Sequence, residues 1–272
     1  MTLPPTDEET QEIYKIYCQL ATIIHDYAVG QQLYKKNCYS WAITANYYSL
    51  MHCGRFICLI GIKDCPKYHS DLHNFLSGKE NKFERKSGKS VDDLLRNLQH
   101  IGDYTKLYNK IKILGLKLEK IKKIRENNSY DFFIISHQIN HSILETEFPK
   151  AYAEIKKLNY EYLNFVFELF VSYINSLDYK DYFIGFLKDT NNKYTWAFID
   201  LIKNLSIQNI EPQLIEEIKI LIDEKLIRKL VGGISLDDSF FNPITYGFYP
   251  EKYDKMKEFI NNINDLTGSR VV

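Results

Sequence analysis

Residues 125 to 131, Arg-Glu-Asn-Asn-Ser-Tyr-Asp, put a guanidinium, two amides and a phenol within two helical turns. Arginine carries a fixed charge with five donors, and asparagine and tyrosine add neutral hydrogen-bonding groups, an unusual set for a stretch that otherwise looks like packed helix. Arg125 and Asn128 fall in a seam that reads Leu114, Leu118, Ile121, Arg125, Asn128, Phe132, Ile135, in steps of four and three. That is one face of a helix, and apolar residues are expected along it. A guanidinium buried there costs several kcal/mol unless it is paired. The pattern points to a cleft, a subunit interface or a binding site; the alternative is a buried arginine satisfied by an acidic neighbour.

Other groups could do chemistry as well. His69 and His73, like His137 and His141, have the i, i+4 spacing that can share a metal on one helix face. Neither pair has an H-E-x-x-H context or an evident third ligand, so structural histidines are expected and no metal. Cys53, Cys58 and Cys65 lack the second paired cluster of a zinc module and read as small apolar residues. Phosphate-binding glycine loops and a G-x-S-x-G elbow are absent. No cofactor is expected.

The formal net charge of zero hides an asymmetry. From Lys79 to Arg125 there are fourteen Lys and Arg against six Asp and Glu, a local excess of eight positive charges. Lys117, Lys120, Lys122 and Lys123 are the candidate nucleic-acid contacts within it. The alternative is an ordinary solvated helix face.

These residues need elements to hold them. The 272-residue chain has 12 glycines and 7 prolines, which favours helices over loop-rich β architecture. Thr6 with Glu9 forms a capping box, predicting a helix to about Val29 that Gly30 closes. A second helix is expected from about Gln31 to Ile60, with a break near Asn37. Trp41, Ala45, Tyr48, His52, Arg55 and Leu59 share one face of it. A short helix follows over 68–76, then a polar loop over 77–90. Ser90 caps a helix ending near Gly102, and a long helical stretch covers 103–146. Pro149 opens a helix to about Leu177. Beyond Asp178 come helices over 194–205 and 212–230, then a strand-like Tyr246-Gly247-Phe248-Tyr249 and a last helix over 250–266. Helix, helix, small hairpin, helix is the order of a winged helix-turn-helix unit. Its candidate recognition helix is acidic, with Glu216, Glu217, Asp223 and Glu224, and ill-suited to phosphates. A protein-contact or dimerisation wing fits better than DNA reading.

Three segments resemble the HEPN superfamily: SWAITANYYSLMHCGRFICLIG (40–61), KYHSDLHNFLSG (67–78) and LEKIKKIRENNSYD (118–131). They are similar to the family's Tyr-Tyr helix, its His-Ser-x-x-x-x-Phe helix and its final arginine motif, in that order. The resemblance covers about the first 140 residues. It implies an α-helical bundle of four or five helices. Together with the element order beyond Asp178, the expected fold is mainly α: a HEPN-like helical bundle with an additional helix over 1–177, followed by a small winged-helix-like α+β region over 178–272. The resemblance also implies a homodimer. Catalytic members are metal-independent ribonucleases with an arginine, a polar residue and a histidine at the dimer seam. Carried over, Arg125 takes the arginine position and Asn127 or Asn128 the polar one. The histidine position holds Tyr130; an unperturbed tyrosine titrates near 10 and is a poor base at pH 7. It could still donate a hydrogen bond or accept a modification. His137 and His141 lie two and three turns further on.

The resulting expectation is a HEPN-like module that binds RNA or a partner in a prokaryotic defence or toxin–antitoxin assembly, weakly catalytic or non-catalytic. One alternative is a metal-independent endoribonuclease toxin using Arg125, Asn128 and Tyr130, or His137, in a composite dimer site. Another is a winged-helix transcriptional regulator. Expected partners are a second copy or a larger defence complex, RNA, and a nucleotidyltransferase antitoxin. A neighbouring nucleotidyltransferase gene would point to toxin–antitoxin biology, and CRISPR genes to an effector accessory. The polar, acidic start is the reverse of a signal peptide, and five cysteines is an odd number, so a cytoplasmic protein with reduced thiols is expected. No membrane span is expected.

Overall fold

The computed structural model describes residues 5–99, 102–130, 141–181 and 212–222. Among the described residues the chain is helical and has no strand. The helices are α1 (Asp7–Lys35), α2 (Tyr39–Ile62), α3 (His69–Leu76), α4 (Lys82–Ser87), α5 (Val91–Leu98), α6 (Tyr104–Tyr130), α7 (His141–Ser176) and α8 (Pro212–Ile222). The chain divides into two compact units, Met1–Phe240 and Phe241–Val272, and every described residue belongs to the first.

The local signals work as their chemistry demands. The Glu9 amide donates to Thr6 Oγ1 at 3.3 Å, and the Thr6 amide donates to Glu9 Oε2 at 2.8 Å. Ser90 and Asp93 repeat the arrangement at the start of α5. Lys63, left-handed at φ 53°, ends α2.

α2 is the central helix. It packs against α1, α3, α5, α6 and α7. Tyr17, Phe56 and Phe170 from α1, α2 and α7 meet in the core, with Tyr47, Phe75 and Phe167 also fully buried. α2 is buried along most of its girth, and the stripe Trp41, Ala45, Tyr48, His52, Arg55, Leu59 is its least buried line. Trp41 at its start is 69 % exposed.

Several boundaries differ from the expectation. Gly30 does not close α1; the helix continues to Lys35 and the chain turns at Asn37 (φ 60°). A Cβ on Gly30 would run into the Asn46 amide, so this glycine serves helix approach, not helix termination. Gly61 is likewise inside α2, against Leu94 and Leu98 of α5. The polar loop over 77–90 contains α4, capped by Asn81 and closed by Gly88. Pro149 lies inside α7 rather than opening it. A proline removes one backbone bond, and the buried aromatic turns that follow fix the helix regardless.

The seam of α6 holds where it is described: Leu114, Leu118, Ile121 and Arg125 are all buried. The stretch 131–140, with Phe132, Ile135 and His137, lies outside the described residues. So do the expected helices over 194–205 and 250–266 and the hairpin at 246–249. Of the winged-helix expectation, α8 is described. It buries Leu214, Ile215, Ile218 and Ile222, and turns Glu216 and Glu217 outward.

Candidate functional site

The site forms where α2, α3 and α6 meet. Close backbone approach sets it up. A Cβ on Gly115 would fall 2.6 Å from the Ser77 amide nitrogen and 2.9 Å from the His73 carbonyl oxygen. The C-terminal turn of α3 therefore lies directly on the α6 backbone. α3 runs back along α6 from there, which brings its first turn, with His69, toward Arg125.

Arg125 is 7 % exposed, so the guanidinium is held inside as its seam position requires. It lies over two aromatic faces, 4.9 Å from the Tyr47 ring centre and 5.8 Å from that of Tyr48. Both are within cation–π reach, and such contacts strengthen when desolvated. Nη1 donates to the Tyr48 hydroxyl at 3.3 Å, and Nη2 is 3.5 Å from Glu126 Oε1. Nε is buried with no hydrogen-bond partner among the described residues. An acidic neighbour is present, yet its contact is long and the guanidinium is incompletely satisfied.

Tyr47 ties the cluster to α3. Its buried hydroxyl lies 3.0 Å from His69 Nδ1 and 3.1 Å from His73 Nε2. A phenol has one proton to give. It donates to one imidazole and accepts an N–H from the other, so the two histidines hold opposite protonation patterns at the facing nitrogens. Burial holds His73 down to about 4. His69 is also lowered, by burial first and then by the Arg125 guanidinium. Burial keeps the Tyr47 phenol well above its ordinary value, partly offset by Arg125. At pH 7 the relay His69–Tyr47–His73 is neutral throughout, beside a permanent cation.

A second polar group continues along the α2 stripe. Gln19 pairs with His52 Nδ1, and His52 Nε2 is 3.8 Å from Asp26 Oδ2. Arg55 donates from Nη2 to the Lys67 carbonyl at 3.0 Å, and its buried Nε has no hydrogen-bond partner among the described residues.

The candidate residues separate. Arg125 and Lys122 are at the cluster; Lys122 Nζ is 3.5 Å from the same Glu126 oxygen that Arg125 faces. Lys117, Lys120 and Lys123 are exposed on the outer side of α6, Lys123 at 4.0 Å from Glu119. Asn127, Asn128 and Tyr130 belong to the last turn of α6, and their side chains lie outside the description, as does that of His141. Among the described residues no group of three His, Cys, Asp or Glu is placed to hold a metal ion. Cys53 and Cys58 are buried, and Cys38 is exposed. Among the described residues no helix is long and apolar enough to cross a membrane.

Sequence reasoning treated His69 and His73 as structural and passed over Tyr47, Tyr48 and Glu126 as site residues. The available signal was the polar stripe Tyr48, His52, Arg55 on an otherwise apolar helix. The chain matches no family model, no curated protein and no solved structure.

Proposed function

We propose that this chain is a HEPN-like helical module that binds RNA, or a protein partner, within a prokaryotic defence or toxin–antitoxin assembly, with weak or no catalytic activity of its own. The reading is carried by Arg125: a buried guanidinium lying over two tyrosine rings, with one nitrogen lacking a hydrogen-bond partner among the described residues. Incomplete satisfaction of a buried cation is expensive in a purely structural residue and useful in an anion site. The part-exposed stripe of α2, beginning at Trp41, supports the homodimer of this reading, because a second copy could cover it next to Arg125.

The test uses labelled single-stranded RNA and the full chain. Wild type should bind in a salt-dependent manner, and Arg125→Ala should weaken binding at least tenfold, about the worth of a charge-assisted hydrogen bond. Little or no RNA should be cut. Wild-type protein that fails to bind RNA at low salt, and is monomeric in light scattering, overturns the reading.

One observation favours the ribonuclease reading as runner-up. His69 is a half-buried, neutral imidazole near Arg125. It is the type of proton-moving group that position 130 lacks. Cleavage that resists EDTA and is lost in His69→Ala would put this reading first.

A further inference from the structure

Glu126 sits awkwardly for a residue that merely neutralises Arg125. One oxygen, Oε1, lies 3.5 Å from Arg125 Nη2 and 3.5 Å from Lys122 Nζ. Both separations exceed the roughly 2.7–2.9 Å of a charge-assisted hydrogen bond. One carboxylate is thus shared by two cations and closes properly on neither. Its side chain is 41 % exposed, that of Lys122 29 %, and that of Arg125 9 %. The carboxylate is in contact with water, whereas the guanidinium lies over two tyrosine rings inside the bundle.

We propose that the Glu126 carboxylate is an internal stand-in for a phosphate group, and that a phosphate of the ligand binds between Arg125 and Lys122 by displacing it. A phosphodiester carries one negative charge and two free oxygens. It can meet the arginine fork with one oxygen and the lysine with the other, where Glu126 offers both the same atom. The buried Nε of Arg125, without a hydrogen-bond partner among the described residues, is the independent sign that the guanidinium is short of acceptors. The inference deepens the RNA-binding reading of this cluster by naming the group that is recognised and the contact that opposes it.

The experiment measures binding of a labelled single-stranded RNA, and separately of inorganic phosphate, to the full chain. The variants are Glu126→Gln, Lys122→Ala and a charge-matched control, Glu154→Gln, at an exposed position of α7. Thermal unfolding checks that each is folded; Glu126 and Lys122 are exposed enough that neither change should unfold the protein. Glu126→Gln is expected to tighten RNA binding by up to about fivefold, the range to which an exposed ion pair corresponds. Lys122→Ala should weaken it, and Glu154→Gln should leave it close to wild type. A purely structural Glu126 would give unchanged or weaker binding in Glu126→Gln, and that result overturns the inference. RNA binding that ignores positions 122 and 126 also overturns it, while leaving the RNA-binding reading intact. If inorganic phosphate shows the Glu126→Gln gain and RNA does not bind, the ligand is a free phosphate or phosphomonoester. The inference then stands and the RNA reading falls. Binding of neither probe to wild type or to Glu126→Gln overturns both.

Discussion

Tyr47 is where the cluster is most sensitive to a single atom. Its hydroxyl is shared by His69 and His73 while its ring carries Arg125. Tyr47→Phe keeps the ring and removes the oxygen, leaving His73 Nε2 buried without this partner. A loss of about 1–3 kcal/mol in urea unfolding is expected, the ordinary penalty for a stranded buried polar group. His73 supplies a pH signature. Burial lowers it to about 4, against an unfolded value near 6.5. Between those values the unfolded chain binds a proton that the folded chain refuses. Stability is therefore full above about pH 6.5 and falls as pH drops toward 4, by up to about 3 kcal/mol from this residue. His69 and His52 are lowered too and act with the same sign. Denaturant unfolding at pH 7 and 4.5 should show the loss, and His73→Gln should flatten it. A variant with an unchanged slope would remove His73 as its source.

At the scale of elements, close approach between helices is what assembles the site. Gly115 lets α3 lie on α6, with backbone atoms of Ser77, His73 and Leu76 where a side chain would start. Backbone cannot step aside as a flexible side chain can. Gly115→Ala should therefore destabilise the protein by about 1–3 kcal/mol, the usual range for overpacking, despite alanine's better helix propensity. The measurement is the unfolding midpoint; a variant as stable as wild type would mean that α3 can shift freely. Gly30 plays the same part between α1 and Asn46. These two glycines mark how far the elements were readable in advance. Helix starts were, because Thr6 and Ser90 act through bonds within one turn. The end assigned to Gly30 was not. A glycine that stops a helix and one that admits a neighbouring helix look alike until the neighbour is in place.

For the molecule as a whole, charge distribution predicts how it should respond to salt. Lys117, Lys120 and Lys123 line the outside of α6, while Lys122 faces the cluster. If RNA crosses this helix, log K should fall linearly with log salt, and each lysine that meets a phosphate should contribute about 0.7 to the slope. Replacing Lys117 and Lys120 by Ala should make the slope shallower without abolishing binding. A slope that does not change would place the RNA elsewhere. By itself the sequence determined the helical character, the capped starts of α1 and α5, and the presence of a guanidinium on the apolar seam of α6. Each of these follows from bonds and side-chain repeats spanning a few residues. The tertiary structure alone decided what Arg125 meets. Tyr47, Tyr48 and His69 lie more than fifty residues away in the chain, and they reach it because α2, α3 and α6 cross at one place. Helix period says which way a side chain points, but what stands opposite depends on how three separate helices pack.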